Sequence, residues 1–326
     1  MIPVSVLDLV PIREGSNVRE ALAETVALAQ AAEALGYKRF WVAEHHGMDG
    51  LAGGATSVVL GAVGHATSKI RIGAGGIMLP NHNPYVIAEQ FGTLDALFPG
   101  RVDLGLGRAP GADGRIAHAL RKDLMRGAET FPNDVLELQA RFAGYPPMPI
   151  PAVPAIGAEV EMWILGSSLY GAQLAAHLGL PYAFASHFAP GLLDQALATY
   201  RETFRPSETL DAPHVMVAMS VIAAESDDEA KFLASSMEQS FAALRTGNPG
   251  RMKPPIAGFR ESLPPEALAS MDAMRSVSAI GGVDTVRAAM QGLIARTGAD
   301  ELILGGSIWD PAAQRRSLEI TMAALA

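Results

Sequence analysis

Val102-Asp103-Leu104-Gly105-Leu106-Gly107-Arg108-Ala109-Pro110 decides between two ways of building a parallel sheet. An apolar run ending in Gly-x-Gly begins like the dinucleotide fingerprint of a doubly wound open sheet, but proline stands where the third glycine belongs, and the fingerprint fails there. What remains is a strand with an arginine at its end. Three further corners share this plan: Glu44-His45-His46, Gly73-Ala74-Gly75-Gly76 and Gly166-Ser167-Ser168 each sit where an apolar run gives out. Ligand-bearing residues gathered at the ends of successive strands are the arrangement of a closed parallel barrel.

Outward from that stretch the chain alternates. Ile2 to Leu9 reads as a first strand, and Val18, Leu22, Val26, Ala29 and Ala32 fall at helical spacing up to Gly36. Phe40 to Ala43 is a second strand, followed by a helix from Ala55 to Thr67; Ile70 to Leu79 is a third, interrupted by glycines. Asn83-Pro84 reads as a cap with proline at the first helical position, opening a helix that closes near Phe98-Pro99-Gly100. After the fourth strand, Val102 to Gly107, a helix ends near Phe142, and the proline-rich Tyr145 to Pro154 is a connector. Strands follow at Met162 to Gly166, Tyr182 to Ser186 and Val215 to Ala224, with helices at Ser168 to Gly179, Leu192 to Phe204 and Asp227 to Arg245. Between strands seven and eight lies an inserted loop region, the Pro/Gly-rich Gly247 to Pro265, with helices expected after it; Glu301 to Gly305 is strand eight, before a last helix from Pro311 to Leu325. Eight strands alternating with helices give an α/β chain, a (β/α)8 TIM barrel, as one domain over residues 1–326.

Composition narrows the function. Of 326 residues, 49% are hydrophobic and 18% charged, enough apolar surface for one large core, and a net charge of −9 gives no attraction to nucleic acid or anionic lipid. With no cysteine, thiolate metal sites and cysteine nucleophiles are excluded. The first ten residues carry Asp8 and no basic leader, and no apolar stretch reaches the roughly 20 residues of a spanning helix, so the expectation is a cytoplasmic protein without a membrane partner.

Each corner admits a functional and a structural reading. His45 and His46 suit proton handling, yet two adjacent histidines in an extended segment point to opposite sides, which makes joint ligation of one ion awkward, and no metal is expected. Gly75-Gly76 marks either the close approach of a flat ligand to bare backbone or a β-bulge. Arg108 offers a planar fork for a phosphate or an ion pair with a loop carboxylate. Gly166-Ser167-Ser168 opens a helix whose free N–H groups and serine hydroxyls suit an anion or simply cap the helix. At one barrel rim, Arg108 and this helix start would form a monophosphate site.

With these corners in place the chain resembles the bacterial luciferase-like flavin monooxygenases. The likeness lies in Gly36-Tyr37 through His46, Ile72 through Pro80, Leu94-Asp95 through Arg108, Trp163 through Ser168, and Glu301 through Leu304. The resemblance implies a TIM-like barrel binding FMN, with the flavin ring against Gly75-Gly76, where relatives have a non-proline cis peptide. Arg108, Gly166, Ser167, Ser168 and Tyr170 would hold the phosphate, and His45 would be the acid/base, with Glu44 fixing its orientation. It also implies reduced FMN and dioxygen reacting through a C4a-hydroperoxyflavin, an oxidised small organic substrate, a separate flavin reductase, a homodimer packed through helices two and three, and a covering role for Gly247 to Pro265. A deazaflavin-dependent hydride-transfer oxidoreductase and a flavin-binding protein with little catalysis are the alternatives.

Overall fold

Inward and outward residues alternate along each strand of a barrel, so large inward side chains need small neighbours. In the computed structural model Trp41 and Trp163 fill the middle of the barrel edge to face, ring centroids 5.5 Å apart. Gly73 makes room for them: a Cβ there would lie 2.6 Å from the Trp41 indole nitrogen. Leu7, Ala183, Met216, Ala218 and Ile303 complete this inner core. A larger outer core packs the opposite strand faces, among them Phe40, Ile72, Leu104 and Ile164, against the surrounding helices.

The structure describes residues 2–109, 114–120, 123–144 and 148–325; Pro110 and the first residues of the 145–154 connector lie outside them. In chain order the elements are β1 (Val4–Asp8), α1 (Val18–Ala34), β2 (Arg39–Val42), α2 (Thr56–Ala66), β3 (Arg71–Met78), α3 (Pro84–Leu97) and β4 (Val102–Gly107). Then come α4 (Gly114–Leu120), α5 (Leu124–Ala143), β5 (Glu161–Gly166), α6 (Leu169–Leu178), β6 (Tyr182–Phe184), α7 (Leu193–Thr203) and β7 (Val215–Ala223). The last are α8 (Asp227–Arg245), α9 (Pro265–Met274), β8 (Ser278–Gly281), α10 (Val283–Thr297), β9 (Glu301–Gly305) and α11 (Pro311–Leu325).

All strand pairings are parallel, and β1 to β7 with β9 close on themselves through β6–β7 and β9–β1 contacts. The barrel is therefore the expected (β/α)8 closure. One expectation is corrected: the eighth stave is the ninth strand in sequence, because Ser278–Gly281, placed among helices from the sequence, forms β8. Four residues hold too little pattern to separate strand from helix. β7 serves both neighbours, pairing β9 along Met216–Ser220 and β8 along Ser220–Ala223. The preceding segment is pinned on both sides: Met252 exchanges backbone hydrogen bonds with Ile12 and Glu14 at 2.9 and 2.7 Å, and the Ile256 N–H donates to Ser235 Oγ at 2.9 Å.

The N-terminal ends of the strands form a charged floor. Arg39 opens β2 with Nε 3.0 Å from Glu301, Nη1 2.9 Å from Asp103 and Nη2 2.9 Å from Glu161. The Nη1 contact is an ion pair without hydrogen-bond alignment. Asp103 also takes the Arg71 guanidinium at 2.5 Å and the Trp41 indole N–H at 2.9 Å, while Ser5 Oγ donates to Glu301 at 2.5 Å. Burial alone would push the Glu301 carboxyl up, but His214, Arg39, Ser5 and Lys38 hold it at about 2.

Candidate active site

The opposite end of the barrel collects the four corners. Counting by twos from Arg39 and Trp41, inward-facing residues of β2, carries the inward side on to Ala43 and His45 and turns Glu44 and His46 to the other side. The hydrogen bonds follow that parity. Glu44 Oε1 accepts from His46 Nε2 at 2.6 Å and His82 Nε2 at 2.8 Å, and its Oε2 accepts from the Met78 N–H at 3.1 Å. Burial alone would raise this carboxyl; the His82, His46 and Met78 donors more than offset it and hold it below the ordinary value. Glu44 was expected to orient His45; its hydrogen bonds among the described residues go instead to His46, His82 and Met78 and tie the β2 corner to the segment after β3. A carboxylate oxygen of Glu44 and one ring nitrogen each of His46 and His82 lie within 4.8 Å of one another, a set that could also hold a metal ion. With no ion present, two ring nitrogens on one carboxylate oxygen each carry a proton and donate it to Glu44.

His45 is left with a buried Nδ1 that meets no hydrogen-bond partner among the described residues. Burial lowers its pKa, with the His46 ring acting in the same direction and the Glu44 carboxylate opposing. Sequence reasoning missed a second ring of this kind, His187, just after β6. Its Nδ1 is likewise buried without a partner, and burial, reinforced by His45, lowers it to about 4. Trp309 Nε1, in the segment after β9, is the third such ring nitrogen at this end. The one available signal was position: each of the three follows the end of a barrel strand.

Gly75-Gly76 joins through a cis peptide, as the resemblance implied. Ala74 pairs with Leu104 and Ile77 with Leu106, so β3 carries one extra residue here, and the bulge reading is right about the ladder. Packing demands glycine as well. A Cβ on Gly75 would lie 2.7 Å from Leu7 Cδ1, and one on Gly76 would lie 2.8 Å from the Gly105 carbonyl oxygen. Both residues are only half-buried.

Arg108, exposed at the end of β4, stacks its guanidinium 4.0 Å from the ring centroid of Tyr170 in the first turn of α6. Ser168 is the N-cap of α6, with extended backbone (φ −140°, ψ 166°) and no side-chain capping bond among the described residues. Its hydroxyl and that first turn are therefore not spent on the usual cap. The start of α6 lies close to the end of β5: a Cβ on Gly166 would be in ordinary contact with Gly171 Cα at 3.6 Å, and one on Gly171 would press on the Tyr182 ring at 3.3 Å. The structure thus brings Arg108, Ser168 and Tyr170 together at the β4–β5 side of the mouth, with Gly166 and Ser167 leading into the helix.

Residues 2–301 match the family model described as luciferase-like monooxygenase. The chain belongs to the luciferase-like monooxygenase family. A luciferase-like monooxygenase of Escherichia coli (strain K12) is 48% identical over 322 residues, covering 98% of this chain and 96% of that protein. Among solved luciferase-like folds, apo-MsnO8 superposes with a TM-score of 0.89 at 30% identity, covering 100% of this chain and 98% of the other. The oxygenating constituent of 3,6-diketocamphane monooxygenase from the CAM plasmid of Pseudomonas putida, solved with FMN, shares the fold with a TM-score of 0.74 at 18% identity, covering 100% and 98%. Among the described residues no helix is long and apolar enough to cross a membrane.

Proposed function

We propose that this chain is an FMN-dependent monooxygenase that receives reduced FMN from a separate flavin reductase, consumes dioxygen, and transfers one oxygen atom to a small organic substrate. The observation that carries the reading is Arg108 stacked on Tyr170 beside the uncapped start of α6. A guanidinium, a free hydroxyl and helical N–H groups at one point suit a single phosphate monoester. From there the half-buried backbone of Gly75-Gly76 would carry the flavin ring. The residues fit the group.

When bound, reduced flavin would supply the activation of dioxygen, the step that no side chain of this protein can perform. The chain's own part is binding and proton handling. Arg108, Ser167, Ser168 and Tyr170 grip the phosphate, with Gly166 beside them at the end of β5. His45, kept neutral by burial, takes up or returns a proton at Nδ1. Residues 247–265, pinned to the segment after β1, cover the mouth and exclude water. A homodimer through α2 and α3 completes the reading: Val58 on α2 is 72% exposed and Leu97 on α3 is 62% exposed, apolar side chains that a second copy would bury.

The test is fluorescence titration with FMN and with a deazaflavin, followed by oxygen uptake with chemically reduced FMN and a panel of organic sulfides and ketones. FMN should bind, Arg108→Ala should weaken it, and His45→Ala should bind FMN normally while losing about a hundredfold or more in oxygen transfer. A protein that binds only the deazaflavin, or binds FMN without turnover in any member of the panel, defeats the proposal.

A further inference from the structure

β6 stands opposite β2 in the closed ring, so His187 and His45 enter the mouth from facing walls. They are near enough for the charge of His45 to bear on His187. The Cδ2 edge of His187 rests against the end of β9, 3.8 Å from where a Cβ on Gly305 would lie, which turns its Nδ1 edge away from that strand. Both rings thus hold a buried Nδ1 without a partner among the described residues. A buried polar atom left unpaired is destabilising, and two such atoms at one opening are accounted for when a ligand supplies the missing hydrogen bonds.

The state of the rings says what kind of ligand. Burial keeps both neutral, and a neutral imidazole carries one N–H and one lone pair. The charged or titratable groups acting on them are Glu44 and His46 for His45, and His45 for His187. No guanidinium or ammonium is among these, so a carboxylate or phosphate would find no counter-charge here, in contrast to the Arg108 side of the mouth. Phe188 packs edge to face on His187 at 5.2 Å and is 59% exposed, giving an apolar surface beside the polar pair.

Resting on the flavin-monooxygenase reading, we propose that His45 and His187 form a two-imidazole clamp for one uncharged substrate group that both donates and accepts a hydrogen bond, a hydroxyl or a carboxamide, with the apolar body of the substrate against Phe188. The clamp fixes which substrate atom meets the oxidant. It makes His187 a specificity-determining residue.

Two measurements test it. In flavin-free protein with labelled histidine rings, acetamide titrated in should shift the Nδ1 resonances of His45 and His187 together. His187→Phe should abolish the His45 response, and His187→Asn, which keeps a donor and an acceptor, should restore it. In oxygen-transfer assays with reduced FMN, para-(methylsulfanyl)benzamide should be preferred over para-isopropylthioanisole, which keeps the sulfide and replaces the carboxamide with an isopropyl group, by about tenfold or more in kcat/KM, since a site built to hydrogen-bond rejects a partner that cannot. His187→Phe should erase that preference with FMN binding unchanged. Absence of the paired shift, or a substrate ratio indifferent to His187→Phe, overturns the clamp. A paired shift in a protein that shows no oxygen transfer would instead remove the monooxygenase reading and leave the clamp standing.

Discussion

At the floor of the barrel, the Arg39 guanidinium meets three carboxylates, two of them fully buried; at the mouth, the buried ring nitrogens of His45, His187 and Trp309 meet none. Both ends lie in the same barrel interior and are built from the same strands, a few residues apart. The difference lies in whether the polar groups are satisfied by the chain itself. A satisfied network rigidifies and asks for nothing, whereas unsatisfied groups are held in place by the fold until another molecule completes them. Glu44 stands between the two cases. It is at the mouth yet fully engaged with His46, His82 and Met78, so it braces the corner from which the unengaged His45 projects.

The largest effect that would break this comparison is expected at the floor. Arg39→Met removes the buried cation that joins Asp103, Glu161 and Glu301, leaving Asp103 to Arg71 and Trp41 and Glu301 to Lys38 and Ser5, and should cost about 3–5 kcal/mol, read as a fall in the urea midpoint. A loss no larger than that of a surface substitution would show that the floor charges do not act as a unit. Glu44→Gln comes next. Its neutral amide cannot give both histidines a charged acceptor, and a loss of about 1–3 kcal/mol with a shifted His45 ring resonance is expected. An unmoved resonance would separate the brace from the ring it supports.

A further test distinguishes the two ends by pH. His187 is lowered from 6.5 to about 4, so the folded protein binds fewer protons than the unfolded chain in that interval, and stability is lost as pH falls through it. Glu301 is lowered from 4.5 to about 2, so its contribution is complete above the upper value and is lost as pH falls towards the lower. The mouth therefore yields to acid before the floor does. Urea midpoints across the pH range should have a shallower upper slope in His187→Phe, the remainder belonging to His45, and keep the lower one; an upper slope untouched by that substitution would count against the division.

Much of this was legible in the residues, for reasons that can be named. α8 runs over Asp227–Arg245 as read, because the Ser226 cap and three acidic residues mark its start and Arg245 its last turn. β4 was equally plain. The Arg108 and Ser168 corners were brought together as expected because neighbouring staves of a barrel share a rim. The hydrogen bond from His82 to Glu44 was not legible because the two sit 38 residues apart, across the next strand. The floor was invisible for the same reason on a larger scale, Arg39 and Glu301 being 262 positions apart. His187 carries no motif, and only the ring closure that sets β6 against β2 reveals it.

The split allegiance of β7, given first to β9 and then to β8, makes the excursion between them a separable attachment. The circle of staves is complete without β8, which hangs from one edge only. Exchange of residues 247–277 for a segment of another length would leave the cylinder intact. Under the covering role proposed for residues 247–265, exchange of that one piece would retune which molecules are admitted, with the His45 and Arg108 corners untouched.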